Sequence, residues 1–246
     1  MVPTTDAACH CCIHLARKLT IMCGRFVLKA PFSELVRLYN VTNNLNLEPR
    51  YNIPPTEPVA VVRSRDGNRS LDMLRWGLVP WWAKDLKVSF ANINAKAETV
   101  AEKPAFRDAF KERRCIIPTD GFYEWQKLDA KNKQPYAIVM KDRSVFAFAG
   151  LWERWKNRAT GETIQSCSII TTTPNDVCAP IHDRMPVILP PENYGRWLGE
   201  EPTEPCHLFG MLKPYPAEGM DAYPVSSRAG NVKNTEAALF EPVTMQ

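Results

Sequence analysis

The sequence predicts a single α+β domain, with a mixed, mostly antiparallel, barrel-like β core and short peripheral helices. Three observations carry this. Short runs of β-branched and aromatic residues recur along the chain, bounded by turn-forming residues. The 21 prolines against 11 glycines favour fixed turns and short strands over long helices. The runs do not alternate with helical segments as βαβ units do, so a doubly wound parallel sheet is not expected.

From Met22 onward the elements read in order. Cys23 to Leu28 suits a short strand. Phe32, Leu35, Val36 and Tyr39 fall at i, i+3, i+4 and i+7, the buried stripe of a helix. Residues 40 to 56 read as loop. Pro58 to Arg63 and Ser70 to Trp76 read as strands joined through Asp66-Gly67-Asn68, a hairpin signal. Glu98 to Arg113 is helical in composition, interrupted at Pro104. Strands follow at Arg114 to Ile117, Gly121 to Lys127, Tyr136 to Met140, Val145 to Trp152 and Thr163 to Thr172. Pro174 to Ile181 reads as a short helix with proline in its first turn, and Pro191 to Leu198 as a helix turning Trp197 and Leu198 inward.

Composition excludes several classes. With 246 residues, 45% of them hydrophobic, the chain is long enough to bury a full core. A formal charge of +4 is mild, and an anionic partner requires the basic residues to cluster. No stretch approaches the ~20 apolar residues of a membrane span, and residues 1 to 21 lack the apolar centre of a secretory signal. Of eight cysteines, Cys9, Cys11 and Cys12 crowd the beginning and the rest are scattered. With His10 and His14 they form a local cluster, but no second ligand pair follows at zinc-site spacing. No metal or organic cofactor is expected.

Four islands carry polar residues that a plain β core does not need. Asn92-Ile93-Asn94-Ala95-Lys96-Ala97-Glu98-Thr99 reads either as a helix start capped by Asn94 or as a site at a strand end. In Gly121-Phe122-Tyr123-Glu124-Trp125, alternation puts Glu124 opposite Tyr123 and Trp125. It is either a solvent-facing carboxylate on an edge strand or a buried acid with a raised pKa, suited to proton transfer. His182 stands among charged neighbours in Ile181-His182-Asp183-Arg184-Met185-Pro186. In Val225 to Asn234, Arg228, Lys233 and the amides either form a polar surface loop or hold phosphates. Trp76, Trp81 and Trp82, in Arg75-Trp76-Gly77-Leu78-Val79-Pro80-Trp81-Trp82, are either core packing or a stacking surface for bases.

Cys23, in Met22-Cys23-Gly24-Arg25-Phe26, is the most distinctive residue. If Met22 is the initiator and is removed, Cys23 carries a free α-amine beside its thiol. Such a pair condenses with an aldehyde and closes a thiazolidine ring, which an internal cysteine cannot do. Residues 1–21 are accordingly read as an N-terminal extension, a flexible tail or the product of a start assigned too early, and 22–246 as the domain.

Together these islands, with Tyr51-Asn52-Ile53-Pro54-Pro55 and Gly230-Asn231-Val232-Lys233-Asn234, resemble the SRAP family, whose members bind abasic sites in single-stranded DNA. The resemblance runs from Met22 to Val243. It implies that Cys23 joins the ring-opened abasic aldehyde, with Asn94 orienting the amine and thiol, Glu124 shuttling protons and His182 assisting ring opening and reversal. It implies phosphate contacts at Arg25, Asn52, Lys96, Arg184, Arg228 and Lys233, and wedging at the lesion by Trp81 and Trp82. Lys96 stands where relatives often carry arginine, keeping the charge and losing the planar fork. The implied partner is single-stranded DNA carrying abasic sites, bound by a monomer away from membranes; for a bacterial chain the implied location is the cytoplasm, at the nucleoid, and for any other source the sequence carries no address. A lyase activity and a self-processing peptidase activity are also implied. Two other readings stay open: a cysteine peptidase or amidase with Cys23 as nucleophile and His182 as base, and a non-covalent single-strand binder using the tryptophans and the basic loop.

Overall fold

The computed structural model describes residues 23–244. The reading of residues 1–21 as an extension, and the Cys9–His14 cluster, lie outside them. Strand β1 (Phe26–Leu28) leads to helix α1 (Phe32–Tyr39), β2 (Arg50–Ile53), the hairpin β3 (Pro58–Arg65) and β4 (Asn68–Trp76), and the short β5 (Asn94–Lys96). Helix α2 (Arg107–Glu112) precedes β6 (Arg114–Thr119), β7 (Gly121–Lys127), β8 (Lys133–Met140), β9 (Phe146–Lys156) and β10 (Thr163–Thr172). The two-residue β11 (Met185–Pro186) and β12 (Ile188–Leu189), helices α3 (Tyr194–Leu198) and α4 (Pro205–Gly210), and β13 (Met220–Pro224) follow.

Two sheets organise these elements. One is antiparallel, in the order β13-β8-β7-β1-β2. In the other, β10, β4, β3, β6 and β9 lie side by side, and β9 pairs back onto β10 from Lys156↔Thr163 to Gly150↔Ile169. The ring closes into a five-stranded barrel without free edges. β10 pairs in parallel with β4 and with β5, and Arg69 of β4 makes an isolated parallel bridge to Val41. The inner stretch of β10 is buried residue after residue, whereas the outer end of β9 alternates Arg154 out, Trp155 in, Lys156 out. A continuous apolar run marks a strand covered on both faces, and alternation one with a wet face.

The sheets meet over an aromatic cluster. Phe26 of β1 stands edge-on to Trp76 of β4 at 5.2 Å and to Phe148 of β9 at 6.0 Å, and Phe122 of β7 meets Phe148 at 5.7 Å. Edge-to-face contacts of this kind add about 0.5–1.5 kcal/mol each beyond the area they bury. The Trp76 indole N–H, fully buried, donates to Ile93 O at 2.9 Å. Trp76 is therefore core and unavailable to a ligand.

The α+β, mostly antiparallel expectation holds, with four local differences. The strand expected from Cys23 begins only at Phe26. Residues 50–53, read as loop, form β2 against β1. The helix expected over 98–113 is only the 3₁₀ turn Ala97–Thr99 and the six-residue α2, because Pro104 removes a donor in its middle. Residues 176–181 are successive turns, not a helix. There the Asn175 side chain accepts the Cys178 N–H at 3.0 Å and donates to Tyr215 O at 2.8 Å, offering the backbone a partner outside a helical ladder. Among the described residues no helix is long and apolar enough to cross a membrane.

Candidate active site

Antiparallel pairing of β1 with β7 brings Cys23 to Glu124. Phe26 lies opposite Phe122, the Tyr123 N–H donates to Arg25 O at 2.9 Å, and the chain then turns inward with φ of 42° at Cys23. The Cys23 nitrogen donates to Glu124 Oε1 at 2.6 Å, and both residues are 3% exposed. β7 lies between β1 and β8, so Glu124 is interior and the edge-strand reading is overturned. Burial raises the Glu124 carboxyl above its ordinary value, against the pull of His182 and of its hydrogen bonds from Cys23. Burial, followed by the charge of Glu124, pushes the Cys23 thiol well up, while Arg184 pulls it down. The resting thiol is protonated.

His182 arrives from the turns after β10. Its N–H donates to Cys178 O at 2.9 Å, and Gln126 of β7 donates to Pro180 O at 3.0 Å, tying this segment to the Glu124 strand. His182 Nδ1 lies 3.1 Å from the Arg184 backbone nitrogen and 3.1 Å from Asp183 Oδ1, so both neighbours fix the imidazole through the same ring nitrogen. Cys178, 1% exposed, lies within electrostatic reach of both Cys23 and Glu124, and burial pushes its thiol up to about 12. No sequence signal marked it, since an isolated cysteine in a turn resembles any small buried residue.

Asn94 opens β5 and is half-buried, so it starts a strand and does not cap a helix. β5 runs beside β10 with Asn94 opposite Ile169 and Lys96 opposite Thr171. The Thr171 carbonyl accepts from Arg184 at 2.7 Å, which sets the Asn94 strand beside the His182 turn.

The expected DNA-contacting residues divide into two sets. Arg25 and Asn52 are 8% and 5% exposed. Arg25 Nη1 donates to Asn52 Oδ1 at 2.7 Å and to Ala229 O at 2.9 Å; Asn52 Nδ2 donates to Asn231 O and Asn234 O. These side chains shape the 226–234 loop from beneath. Arg184 is also inward, 11% exposed, with its guanidinium forked onto Glu98. The second set is outward. Lys96 and Lys233 are exposed, and Arg228 is exposed beside Glu236.

Trp81 and Trp82 are 58% and 45% exposed, on a loop fixed at three points. Gly77 takes a φ of 122°, and a Cβ there would lie 2.8 Å from Ser89 O, so only glycine fits. The Val79 N–H donates to Ser166 Oγ at 2.8 Å, and the Trp155 indole donates to Ala83 O at 2.7 Å. Phe90, 64% exposed on the same segment, was missed in the sequence, where it reads as an ordinary apolar residue. Among the described residues no three His, Cys, Asp or Glu side chains gather as a metal site. The arrangement is a buried acid and thiol at one backbone nitrogen with a half-buried imidazole in electrostatic reach, while Trp81, Trp82, Phe90, Lys96, Arg228 and Lys233 form a separate, outward-facing set, the rim.

The sequence model described as SOS response associated peptidase (SRAP) matches residues 22–232. The abasic site processing protein YoqW of Bacillus subtilis (strain 168) is 45% identical over 223 residues, covering 89% of this chain and 99% of the relative. The abasic site processing protein YedK of Escherichia coli (strain K12) is 30% identical over 230 residues, covering 90% and 100%. A crystal structure of a Bacteroides thetaiotaomicron protein superposes with a TM-score of 0.83 at 28% identity, covering 90% of this chain and all of that one.

Proposed function

This chain belongs to the SRAP family, and we propose that it processes abasic sites in single-stranded DNA by joining the amine and thiol of Cys23 to the ring-opened sugar aldehyde. The observation that carries the reading is the 2.6 Å contact between the Cys23 nitrogen and the buried Glu124 carboxylate. The chemistry requires Cys23 to be the first residue, so the proposal includes translation from Met22 with loss of that methionine, or processing before Cys23. The amine, with a reference pKa of about 7.7–8.0, is partly neutral near pH 7.

The steps balance with loss of one water. The neutral amine adds to the aldehyde carbon, and Glu124 takes a proton from nitrogen and returns one to the departing hydroxyl, leaving a Schiff base. The Cys23 S–H then adds across the C=N bond, sulfur to carbon and proton to nitrogen, closing the thiazolidine. Glu124, hydrogen-bonded to the Cys23 thiol, is placed to take the S–H proton as sulfur attacks and to pass it to the ring nitrogen. His182 is proposed to donate a proton to the sugar ring oxygen during opening. Asn94 orients the amine, and Lys96, Arg184, Arg228 and Lys233 hold the strand. Arg25 and Asn52 act through the loop they support. A Schiff base that loses a proton from the neighbouring carbon before sulfur adds expels the 3′ phosphate, which gives the lyase branch.

The peptidase reading and this one differ in what they leave behind, since only the abasic-site reaction joins the chain to DNA with loss of one water. Intact mass after mixing with a single-stranded oligonucleotide carrying one abasic site tests the proposal. The expected product is a chain beginning at Cys23 that has gained the oligonucleotide minus one water. A chain with a confirmed Cys23 terminus and no adduct would overturn it.

A further inference from the structure

We propose that Glu98 is an internal stand-in for a DNA phosphate: it occupies the fork of Arg184 in the free protein and must leave it before Arg184 grips a strand. This rests on the single-stranded DNA reading above and assigns a specificity-determining residue within it. Arg184 Nη1 meets Glu98 Oε1 at 2.5 Å and Nη2 meets Oε2 at 2.9 Å. Two parallel N–H···O bonds are the pattern a guanidinium uses for carboxylate and phosphate alike, so the two ligands compete for one edge.

Burial fixes the order of events. The Arg184 side chain is 11% exposed and that of Glu98 is 49% exposed, so the carboxylate stands between the cation and water. A strand arriving from solvent meets Glu98 first. Arg184 has no other edge to offer, because Nη2 is also held by Thr171 O of β10 at 2.7 Å and Nε is buried. Glu98 sits on the 3₁₀ turn after β5, and its hydrogen bond with Arg184, helped by Lys96, holds its carboxyl below the usual range. Protonation therefore does not release it near pH 7, and a competing anion must. Its half-exposure keeps the pair exchangeable, since partly solvated ion pairs are weak and salt-screened. Arg228, 63% exposed, touches Glu236 through one Nη2–Oε1 approach and keeps the rest of its guanidinium open to solvent, unlike Arg184. The masking of Arg184 lowers affinity for intact strands and leaves the covalent step to decide residence.

The test uses the full chain and an undamaged oligothymidylate, which has no aldehyde and binds reversibly. Affinity is measured against salt for the wild type, Glu98→Gln, Arg184→Gln and the double variant, with Arg184→Lys in case Arg184→Gln unfolds. Glu102→Gln, the same charge change at an exposed neighbouring site, is the control. Glu98→Gln is expected to bind about three- to ten-fold tighter at low salt, with the salt slope steeper by about 0.7, one more phosphate contact on a single strand. Glu102→Gln should shift affinity less than about two-fold, and Glu98→Gln should change nothing further without Arg184. Weaker binding or an unchanged slope for Glu98→Gln would mean that Glu98 merely braces Arg184, and overturns the proposal. So does tightening that persists without Arg184, which is plain charge repulsion. A wild type that binds neither this strand nor an abasic one removes the functional reading, and the proposal with it.

Discussion

The floor of the site and its rim are built on opposite terms. Cys23, Glu124 and Cys178 are almost wholly buried, and burial is the first cause of the shift in each of their proton affinities. Trp81, Trp82, Phe90, Lys96, Arg228 and Lys233 face solvent. In the proposed reading the floor conditions reactivity by withholding water, and the rim offers surface and charge to a polymer that arrives hydrated. Chemistry and grip should therefore separate under mutation.

The sharpest break is at Cys23. Cys23→Ala should abolish the covalent adduct by intact mass while reversible affinity for an undamaged strand stays within about two-fold; joint loss would dissolve the distinction between floor and rim. Cys23→Ser should give only a slow, reversible imine, trapped by borohydride, since oxygen closes a less durable ring. Next comes Glu124→Gln, expected to slow linkage by about 10²–10⁴-fold, the usual span for a general acid–base, without weakening reversible binding. The same change carries a stability signature. Glu124 has a raised native pKa, so the native state holds the extra proton, and stability falls as pH rises from the unfolded toward the folded value. Glu124→Gln in the full chain should raise the melting temperature at pH 7 to 8 and leave it nearly unchanged at pH 4. A melting curve that is no higher at pH 7 would mean the carboxylate is well solvated.

At the rim the effects are smaller and of another kind. Trp81→Ala and Trp82→Ala should each cost about 1–3 kcal/mol of reversible binding, with the linkage rate at saturating DNA preserved. A fall in that saturated rate would place the tryptophans in the chemistry. Lys233→Ala is expected to weaken binding only a few-fold and to flatten the salt slope by about 0.7. An unchanged slope would remove Lys233 from the phosphate path.

Much of this was legible where the signal is local. The stripe from Phe32 to Tyr39 gave α1, and Asp66-Gly67-Asn68 gave the β3–β4 hairpin. What was illegible depends on distance along the chain or on one backbone angle. Three tryptophans within seven residues read as one feature, yet Trp76 ends a core strand, and the positive φ of Gly77 turns the next two into solvent. β2 has no alternating pattern of its own and exists because β1 supplies its partner. The pairing of Glu98 with Arg184 spans 86 positions, and Cys178 nears Cys23 only through the turns that Asn175 shapes. Candidate residues could be named singly; which are partners and which are exposed is a property of the closed barrel.

The anchoring of the tryptophan loop has a calorimetric consequence. Because Gly77 against Ser89, Ser166 beneath Val79 and Trp155 on Ala83 already fix its path, the segment has little freedom left to surrender when a strand docks. Ordering a loose loop side chain costs roughly 0.5–1.5 kcal/mol, and here the fold has met that cost in advance. Docking at the rim should thus show the negative heat-capacity change of buried aromatic surface without the large unfavourable entropy of a segment that folds on contact.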